Sequence, residues 1–343
     1  MDDASDDLDL AQQASQLAWH VASALRAGDL AAARRDCEQA LVLAEASGAQ
    51  GAASVRTTLG RVLLAQGELQ PARACLEVAL AVHRQGTRGH LVGLTLLELA
   101  SCDLEQGDPD AAMHKLIQAT TSFARAGEQL FEAAAQLRIA AAHHHAGQLD
   151  AARRHAEVAQ RVAQAAGDEG LLASTEARLG LLLHERGQRR AAVTQLRGAR
   201  SRFHGLGDRR GDLGCRLALV RLGLERGDEV HDDAEQLVAA TEPVGDPWLH
   251  GQACSIHGAV LGATGDRLAY TVLARADAAL AGHPLLRHLP PIDQGWLDLA
   301  RGERDVAMRR FGAVPTHALR SIPLRLALAG LRTRLGQTQP LGA

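Results

Sequence analysis

The sequence repeats itself at an interval of about forty residues, and this period constrains the possible folds more than any other feature. A glycine followed by an acidic residue or glutamine marks each unit, with gaps of 37 to 40 residues, at Gly28, Gly67, Gly107, Gly147, Gly187, Gly227, Gly265 and Gly302. A second glycine series lies about halfway between these turns, at Gly48, Gly86, Gly127, Gly167, Gly207 and Gly245. A fixed period of this length indicates stacked supersecondary units rather than one globular core.

The unit from Phe131 to Gly170 shows the plan of a repeat most clearly. Its apolar residues recur at helical spacing, which predicts one helix over residues 131–146 and a second over residues 150–166. The turn glycine Gly147 separates the two, and Gly167 ends the second helix. We expect each turn glycine to adopt a left-handed conformation, and the Asp that follows several of them to cap the next helix.

Small residues recur at two fixed positions around each turn. Seven residues before the turn glycine the sequence places Gly60, Ala100, Ala140 and Gly180, and five residues after it Ala72, Ala112, Ala152 and Ala192. Two helices joined by a short turn approach closely only where their side chains are minimal. These positions therefore predict the packed seam of a helical hairpin.

This pattern resembles the tetratricopeptide repeat family, which has a small residue in the middle of helix A, an Ala early in helix B, and another small residue seven positions later. Here the last position holds Ala79, Ala119, Ala159 and Ala199. The forty-residue period is similar to the arrays of GoLoco-binding adaptors and MalT-like bacterial regulators. The resemblance implies an all-α, right-handed superhelical solenoid of seven to eight hairpins over residues 10–312, with helix A lining a concave groove that binds a protein or peptide.

The two ends of the chain depart from the pattern. Residues 1–9 are rich in Asp and lack the basic and apolar regions of a signal peptide, so we expect an acidic flexible tail. The last two repeats diverge, with prolines at Pro284, Pro290, Pro291 and Pro315. Residues 313–343 are predicted to form a capping helix, from about Thr316 to Leu335, followed by a tail.

Composition and motifs exclude several functions. The net charge of -3 gives no overall attraction to nucleic acid, and we expect no membrane span. Five widely spaced cysteines without a Cys-x-x-Cys pair favour a reducing, cytoplasmic environment. The single lysine, Lys115, is not in a phosphate-binding loop, and no nucleophile elbow occurs. We therefore predict a bacterial protein that is not an enzyme and needs no cofactor.

The run His143-His144-His145 is the strongest candidate for a metal site. Consecutive side chains on a helix point about 100° apart, so three histidines in a row cannot bind one ion together. We expect no metal there, and instead a polar helix end that lines the groove. A metalloenzyme built around these histidines remains the third alternative.

Aligning the repeats places the candidate groove residues on equivalent faces of helix A. Arginines lie six or nine residues before a turn glycine, and histidines lie three residues before one. Leucines between them provide apolar patches. The candidate groove residues are Arg61, Leu104, Leu137, Arg138, His144, Arg178, His184 and Arg221. A mildly basic groove of this kind suits a peptide segment with acidic groups. In the alternative interpretation Glu98, Glu176 and Glu185 neutralise the arginines and the groove binds nothing.

We therefore predict a scaffold or adaptor that binds a partner protein or peptide in its concave groove. The alternative is a ligand-responsive regulatory or sensor domain of a bacterial signalling or transcription-control system.

Overall fold

The structure, a computed structural model, describes residues 16–17 and 19–334, and the regular structure in this part of the chain is helical. The predicted tail over residues 1–9 lies outside the described residues. The helices are α1 (19–27), α2 (Leu30–Ser47), α3 (Ala49–Ala65), α4 (Leu69–Gln85), α5 (Gly89–Gln106), α6 (Pro109–Ala126), α7 (Gln129–His145), α8 (Leu149–Ala166), α9 (Glu169–Glu185), α10 (Arg189–Gly205), α11 (Arg209–Arg226), α12 (His231–Thr241), α13 (Pro247–Ala263), α14 (Leu268–Leu280), α15 (Leu289–Asp293), α16 (Gly295–Ala300), α17 (Arg304–Gly312) and α18 (Ile322–Arg334). Three short 3-10 segments lie at Glu242–Val244, Leu286–His288 and Thr316–Arg320.

Consecutive helices pack as antiparallel hairpins, and each hairpin stacks on the next. This arrangement confirms the predicted all-α solenoid. All eight predicted turn glycines have positive φ angles, between 73° and 82°. Asp29 and Asp108 accept hydrogen bonds from backbone N–H groups in the first turn of the following helix, at 2.8 and 3.0 Å, as expected for N-caps.

The predicted seam of small residues is the line of closest approach within each hairpin. Ala72, Ala112, Ala152 and Ala192 are completely buried. A Cβ atom added at Gly60 would lie 2.5 Å from Cγ of Leu76, and one added at Gly180 would lie 2.7 Å from Cγ of Leu196. The glycines thus make room for a leucine of the partner helix, so the helix spacing depends on them.

The array closes back on itself through its C-terminal segment, which we define as residues 283–334. His283 bonds through Nε2 to Oε2 of Glu105, at 3.0 Å, and Nη1 of Arg320 donates to the backbone oxygen of Gly107, at 2.6 Å. The last predicted helix is divided into a 3-10 turn, Thr316–Arg320, and α18, which packs on α15 and also contacts α11 and α9. The C-terminal segment is therefore more than a cap, because it also covers part of the concave side.

Arg325 holds this closure together. Its Nε donates to Oε1 of Glu185 at 2.6 Å, and its Nη2 donates to the backbone oxygen of His144 at 2.6 Å. Its Nη1 donates to the backbone oxygen of Leu319 at 2.7 Å. The side chain of Arg325 is only 9% exposed, so these bonds form in a protected environment where they are strong.

We predict opposite effects of the same substitution at two helical glycines. Gly60→Ala should destabilise the protein by about 1 kcal/mol or more, because overpacking against Leu76 outweighs the gain in helix propensity. Gly214→Ala in α11 should stabilise it by about 0.5–1 kcal/mol, because a Cβ there meets nothing within 4 Å. Chemical denaturation followed by circular dichroism measures both, and equal effects of the two substitutions would contradict the predicted seam.

We further predict that Arg325→Ala lowers the free energy of unfolding by about 3 kcal/mol, because it removes a buried ion pair and leaves backbone carbonyls unsatisfied. Arg309→Ala, an exposed arginine on α17, is the matched control and should change it by less than about 0.5 kcal/mol. Urea denaturation measures both variants. If Arg325→Ala were as stable as its control, Arg325 would not hold the closure.

Candidate functional site

The concave side of the array contains a cavity of about 280 Å³ between the central repeats and the C-terminal segment. Charged and polar groups from helices α5, α7, α9 and α11 lie on one side, and leucines from the C-terminal segment lie on the other. The lining includes Glu105, His145, Arg178, Leu181, Gly214, Leu217, Arg221, Leu249, Gln252, His283, Leu285, Leu289, Ile322 and Leu326. The cavity thus has an apolar wall and a few charged groups, the usual composition of a ligand-binding site.

Arg178 and Arg138 occupy equivalent positions in neighbouring repeats, and neither forms an ion pair with a described residue. Nη1 of Arg138 donates to the neutral hydroxyl of Ser101 at 2.9 Å. Arg178 lines the cavity and makes no hydrogen bond with any residue in the described part of the chain. Burial and the positive charge of Arg138 lower the pKa of Arg178 to about 10. The carboxylate of Glu105 partly offsets these two effects, and Arg178 keeps a positive charge with no bonded carboxylate among the described residues.

The carboxylate of Glu105 gives the cavity its negative charge. The side chain keeps 37% of its surface accessible, because it faces the open space of the cavity. Burial by itself would raise the pKa of Glu105, but the hydrogen bond from His283 and the charge of Arg210 hold the pKa below its ordinary value. Nδ1 of His283 accepts from the backbone N–H groups of Leu285 and Leu286, each at 3.1 Å, so its Nε2 carries the proton donated to Glu105.

The two candidate histidines form ion-pair-like contacts with the next repeat. Nε2 of His144 lies 2.8 Å from Oε2 of Glu185, and Nε2 of His184 lies 2.9 Å from Oε1 of Glu225. Both histidines are buried, with 0% and 4% exposure. In the structure these side chains connect neighbouring repeats and do not face the cavity.

Arg221 lines the cavity but already has a carboxylate partner. Its Nη1 and Nη2 donate to the two oxygens of Asp293 at 2.5 and 2.9 Å, and Oγ of Ser255 donates to Oδ2 of Asp293 at 2.7 Å. This bidentate pair is buried on both sides. Arg221 therefore connects α11 to the C-terminal segment, and its charge is compensated.

The three remaining candidates lie outside the cavity wall. Arg61 is exposed and lines a separate pocket with Thr57, His83 and Glu98. Leu104 is buried with 5% exposure, and Leu137 is half-buried. Of the eight candidates, the structure thus places Arg178 and Arg221 at the cavity, with Arg138 as the neighbour of Arg178.

Two of the three glutamates that were expected to neutralise the groove arginines have other partners, and the third, Glu98, lines the pocket that contains Arg61. Glu176 pairs with Arg202, and Glu185 pairs with Arg325 and His144. Sequence reasoning missed Glu105, His283 and Arg325. The sequence does contain a pattern that could have identified Glu105. A glutamate recurs two residues before a turn glycine, at Glu105, Glu185 and Glu225.

The histidine run is dispersed in the structure. Nδ1 of His143 lies 2.6 Å from Oε1 of Gln148, while His144 faces Glu185 and His145 lines the cavity. Within residues 16–17 and 19–334, no group of three or more His, Cys, Asp or Glu side chains is arranged to hold a metal ion. In the same part of the chain, no helix combines the length and apolar character that crossing a membrane requires.

We predict that acid destabilises the protein through His144. Burial lowers the pKa of His144 to about 4, despite the bond to Glu185, and lowers that of His145 to about 3. The unfolded chain binds protons at the ordinary histidine pKa of about 6.5, so stability is lost as the pH falls from about 7 towards 4. For His144 the expected loss between pH 7 and pH 5 is about 2 kcal/mol.

The measurement is urea denaturation at both pH values. His144→Gln should flatten the dependence, since the amide donates to Glu185 but does not titrate. The exposed His204→Gln is the control and should keep the dependence of the unaltered protein. An unchanged slope for His144→Gln would contradict the assignment.

The comparisons with known proteins agree with this architecture. A tetratricopeptide repeat family model matches residues 13–85. A Rap protein solved in complex with competence and sporulation factor superposes with a TM-score of 0.65 and 14% identity, covering 91% of this chain and 87% of that one. The apo form of RapI superposes with a TM-score of 0.51 and 11% identity, covering 96% of this chain and 87% of that one. No curated protein matches the sequence.

At these identities the two structures establish the fold alone. The family model covers the first two hairpins, and the same turn glycines and seam residues continue through the hairpins that follow. The chain thus carries tetratricopeptide repeats at residues 13–85, and the later hairpins continue their pattern.

Proposed function

We propose that the chain is a non-enzymatic binding protein that recognises an acidic segment of a partner protein or peptide on its concave face. The observation that carries this proposal is the pair of neighbouring guanidinium groups, Arg138 and Arg178, that have no carboxylate partner among the described residues. Arg61, farther along the same face, would contact a more distant part of the bound segment.

The contrast with the other sheltered arginines supports this role. Arg221, Arg310 and Arg325 each pair with a carboxylate of the chain, at 2.5 to 2.6 Å. Where burial removes water from a guanidinium, an intramolecular carboxylate normally compensates its charge. Arg138 and Arg178 repel each other without a bonded carboxylate of the described chain, and Glu105 only partly offsets the charge of Arg178. An external carboxylate binding to both would relieve this repulsion and form charge-assisted hydrogen bonds.

The apolar surroundings favour a peptide over nucleic acid. Leu181 and Leu217 lie beside Arg178 in the cavity wall, and Leu137 precedes Arg138 on α7. Such a surface can accept apolar side chains next to an acidic group. The net charge of -3 gives no general attraction to phosphate backbones. The Rap structure with the higher TM-score was solved with a bound factor, which is consistent with a binding role for this fold.

A partner identified by cross-linking in a bacterial cytoplasm allows a direct test. The double variant Arg138→Gln/Arg178→Gln should weaken binding of that partner by at least about 100-fold, since each charge-assisted contact contributes about 1.5–3 kcal/mol. The matched control is Arg154→Gln/Arg190→Gln, which removes the same charge from exposed positions on α8 and α10. Titration calorimetry gives both affinities, and equal affinities for the two double variants would rule out this surface.

The partly enclosed shape of the cavity favours a second candidate function, a regulatory domain that responds to a small ligand. The volume of about 280 Å³ lies just below the usual range for drug-sized ligands, which is about 300–1,000 Å³, and so suits a smaller ligand. Because the C-terminal segment forms one wall, a ligand in the cavity would contact two distant parts of the chain at once. Binding there would change the stability of the closure, and thereby the concave surface offered to a partner.

A further inference from the structure

The cavity contains a positive and a negative group that do not bond to each other. Arg178 has no hydrogen-bond partner among the described residues, and Oε1 of Glu105 accepts no hydrogen bond from them. Both groups line the same cavity, and the negative charge of Glu105 acts to raise the pKa of Arg178. Opposite charges that share a cavity without touching leave a gap between them.

The other charges in and near the cavity are already compensated. Arg221 is neutralised by Asp293, and Arg210 pairs with Asp246. His283 and His145 do not neutralise Glu105 with a second cation, because Nδ1 of His283 already accepts from the backbone N–H groups of Leu285 and Leu286 and burial lowers the pKa of His145 to about 3. The unpaired charges are therefore one guanidinium and one carboxylate, and the complementary ligand is a zwitterion.

Most of the remaining wall is aliphatic, apart from Gln252 and Ser321. The aliphatic part includes leucine and isoleucine side chains from α9, α11 and the C-terminal segment, namely Leu181, Leu217, Leu285, Leu289, Ile322 and Leu326. Among the described residues, no Phe, Tyr or Trp side chain lines the cavity. A wall of this kind binds a branched aliphatic side chain by excluding water and by dispersion contacts.

Nδ1 of His145 adds a further unsatisfied group. It is buried and has no hydrogen-bond partner in the part of the chain that the structure describes. Buried polar atoms are normally bonded, so an orphan atom in a residue that lines a cavity indicates a missing partner, which water or a ligand can supply.

We propose that this cavity binds a free α-amino acid with an aliphatic side chain, such as leucine. The carboxylate lies on the guanidinium of Arg178, the ammonium group donates to Oε1 of Glu105, and the side chain contacts the aliphatic wall. The proposal rests on the second candidate function above and is independent of a protein partner. The amino acid bridges the central repeats and the C-terminal segment, so its binding stabilises the closed array.

Titration calorimetry on the full chain tests the proposal with four ligands. Leucine should bind saturably with a dissociation constant between about 1 µM and 1 mM. Leucinamide lacks the carboxylate, 4-methylpentanoate lacks the ammonium group, and glycine lacks the side chain. Each should bind at least about tenfold more weakly than leucine. Undetectable binding of leucine, isoleucine and valine at about 10 mM, or leucinamide binding as tightly as leucine, would overturn the proposal.

Variants locate the site. Arg178→Gln and Glu105→Gln should each weaken leucine binding by at least about tenfold, whereas the exposed Arg190→Gln should leave it unchanged. Gly214→Leu gives a test that does not depend on removing a charge. A Cβ at Gly214 meets no atom within 4 Å, so the larger side chain can extend into the cavity without disturbing the helix.

Gly214→Leu should raise the melting temperature and abolish leucine binding. Gly214→Ala should also raise the melting temperature but should leave leucine binding intact. Leucine binding that survives Gly214→Leu would place the ligand elsewhere and overturn the proposal. Failure of the amino-acid proposal can be distinguished from failure of the partner proposal. Partner binding is measured separately, with Arg138→Gln/Arg178→Gln and its control.

Discussion

The closure made by Arg325 determines what the concave face of this protein can do. One guanidinium joins Glu185, the backbone of His144 and the backbone of Leu319, and so attaches α18 to the central repeats. The bonds between His283 and Glu105 and between Arg320 and Gly107 extend this attachment along the edge of the array. Without these contacts the concave side would be an open groove. With them, part of it becomes a cavity with an aliphatic wall.

The closure also explains why the basic side chains of helix A differ in their roles. Arg221 is neutralised by Asp293, which lies in the C-terminal segment, and therefore belongs to the closure. Arg138 and Arg178 have no such partner and remain available to an anion. His144 and His184 face glutamates of the following repeat and help to fix the stacking of neighbouring hairpins.

The hairpins could be predicted from the sequence because their determinants are local. A left-handed glycine such as Gly147 and a small residue such as Gly60 act within one repeat, and the forty-residue period shows each of them several times. The predicted bounds of the central helices, 131–146 and 150–166, agree with α7 and α8 within two residues at each end. The path of the C-terminal segment could not be predicted in this way. Contacts such as Arg325 with Glu185 join residues 140 positions apart, and no periodic pattern encodes them.

The candidate site was predictable only in part for the same reason. Repeat alignment places Arg138 and Arg178 on equivalent faces, but it cannot show that Glu176 and Glu185 have other partners. Nor can it show that Glu105 faces Arg178 across a space enclosed by residues from the end of the chain. Both facts depend on tertiary packing between distant repeats.

Hydrogen exchange of the free protein tests the closure most directly. If the C-terminal segment is held as described, the amides of α18 should be protected to nearly the same degree as those of α9 and α11, because opening α18 requires breaking the buried bonds of Arg325. Complete exchange of α18 within seconds, while α9 and α11 remain protected, would show that the closure does not persist in solution and would contradict the cavity on which the account depends.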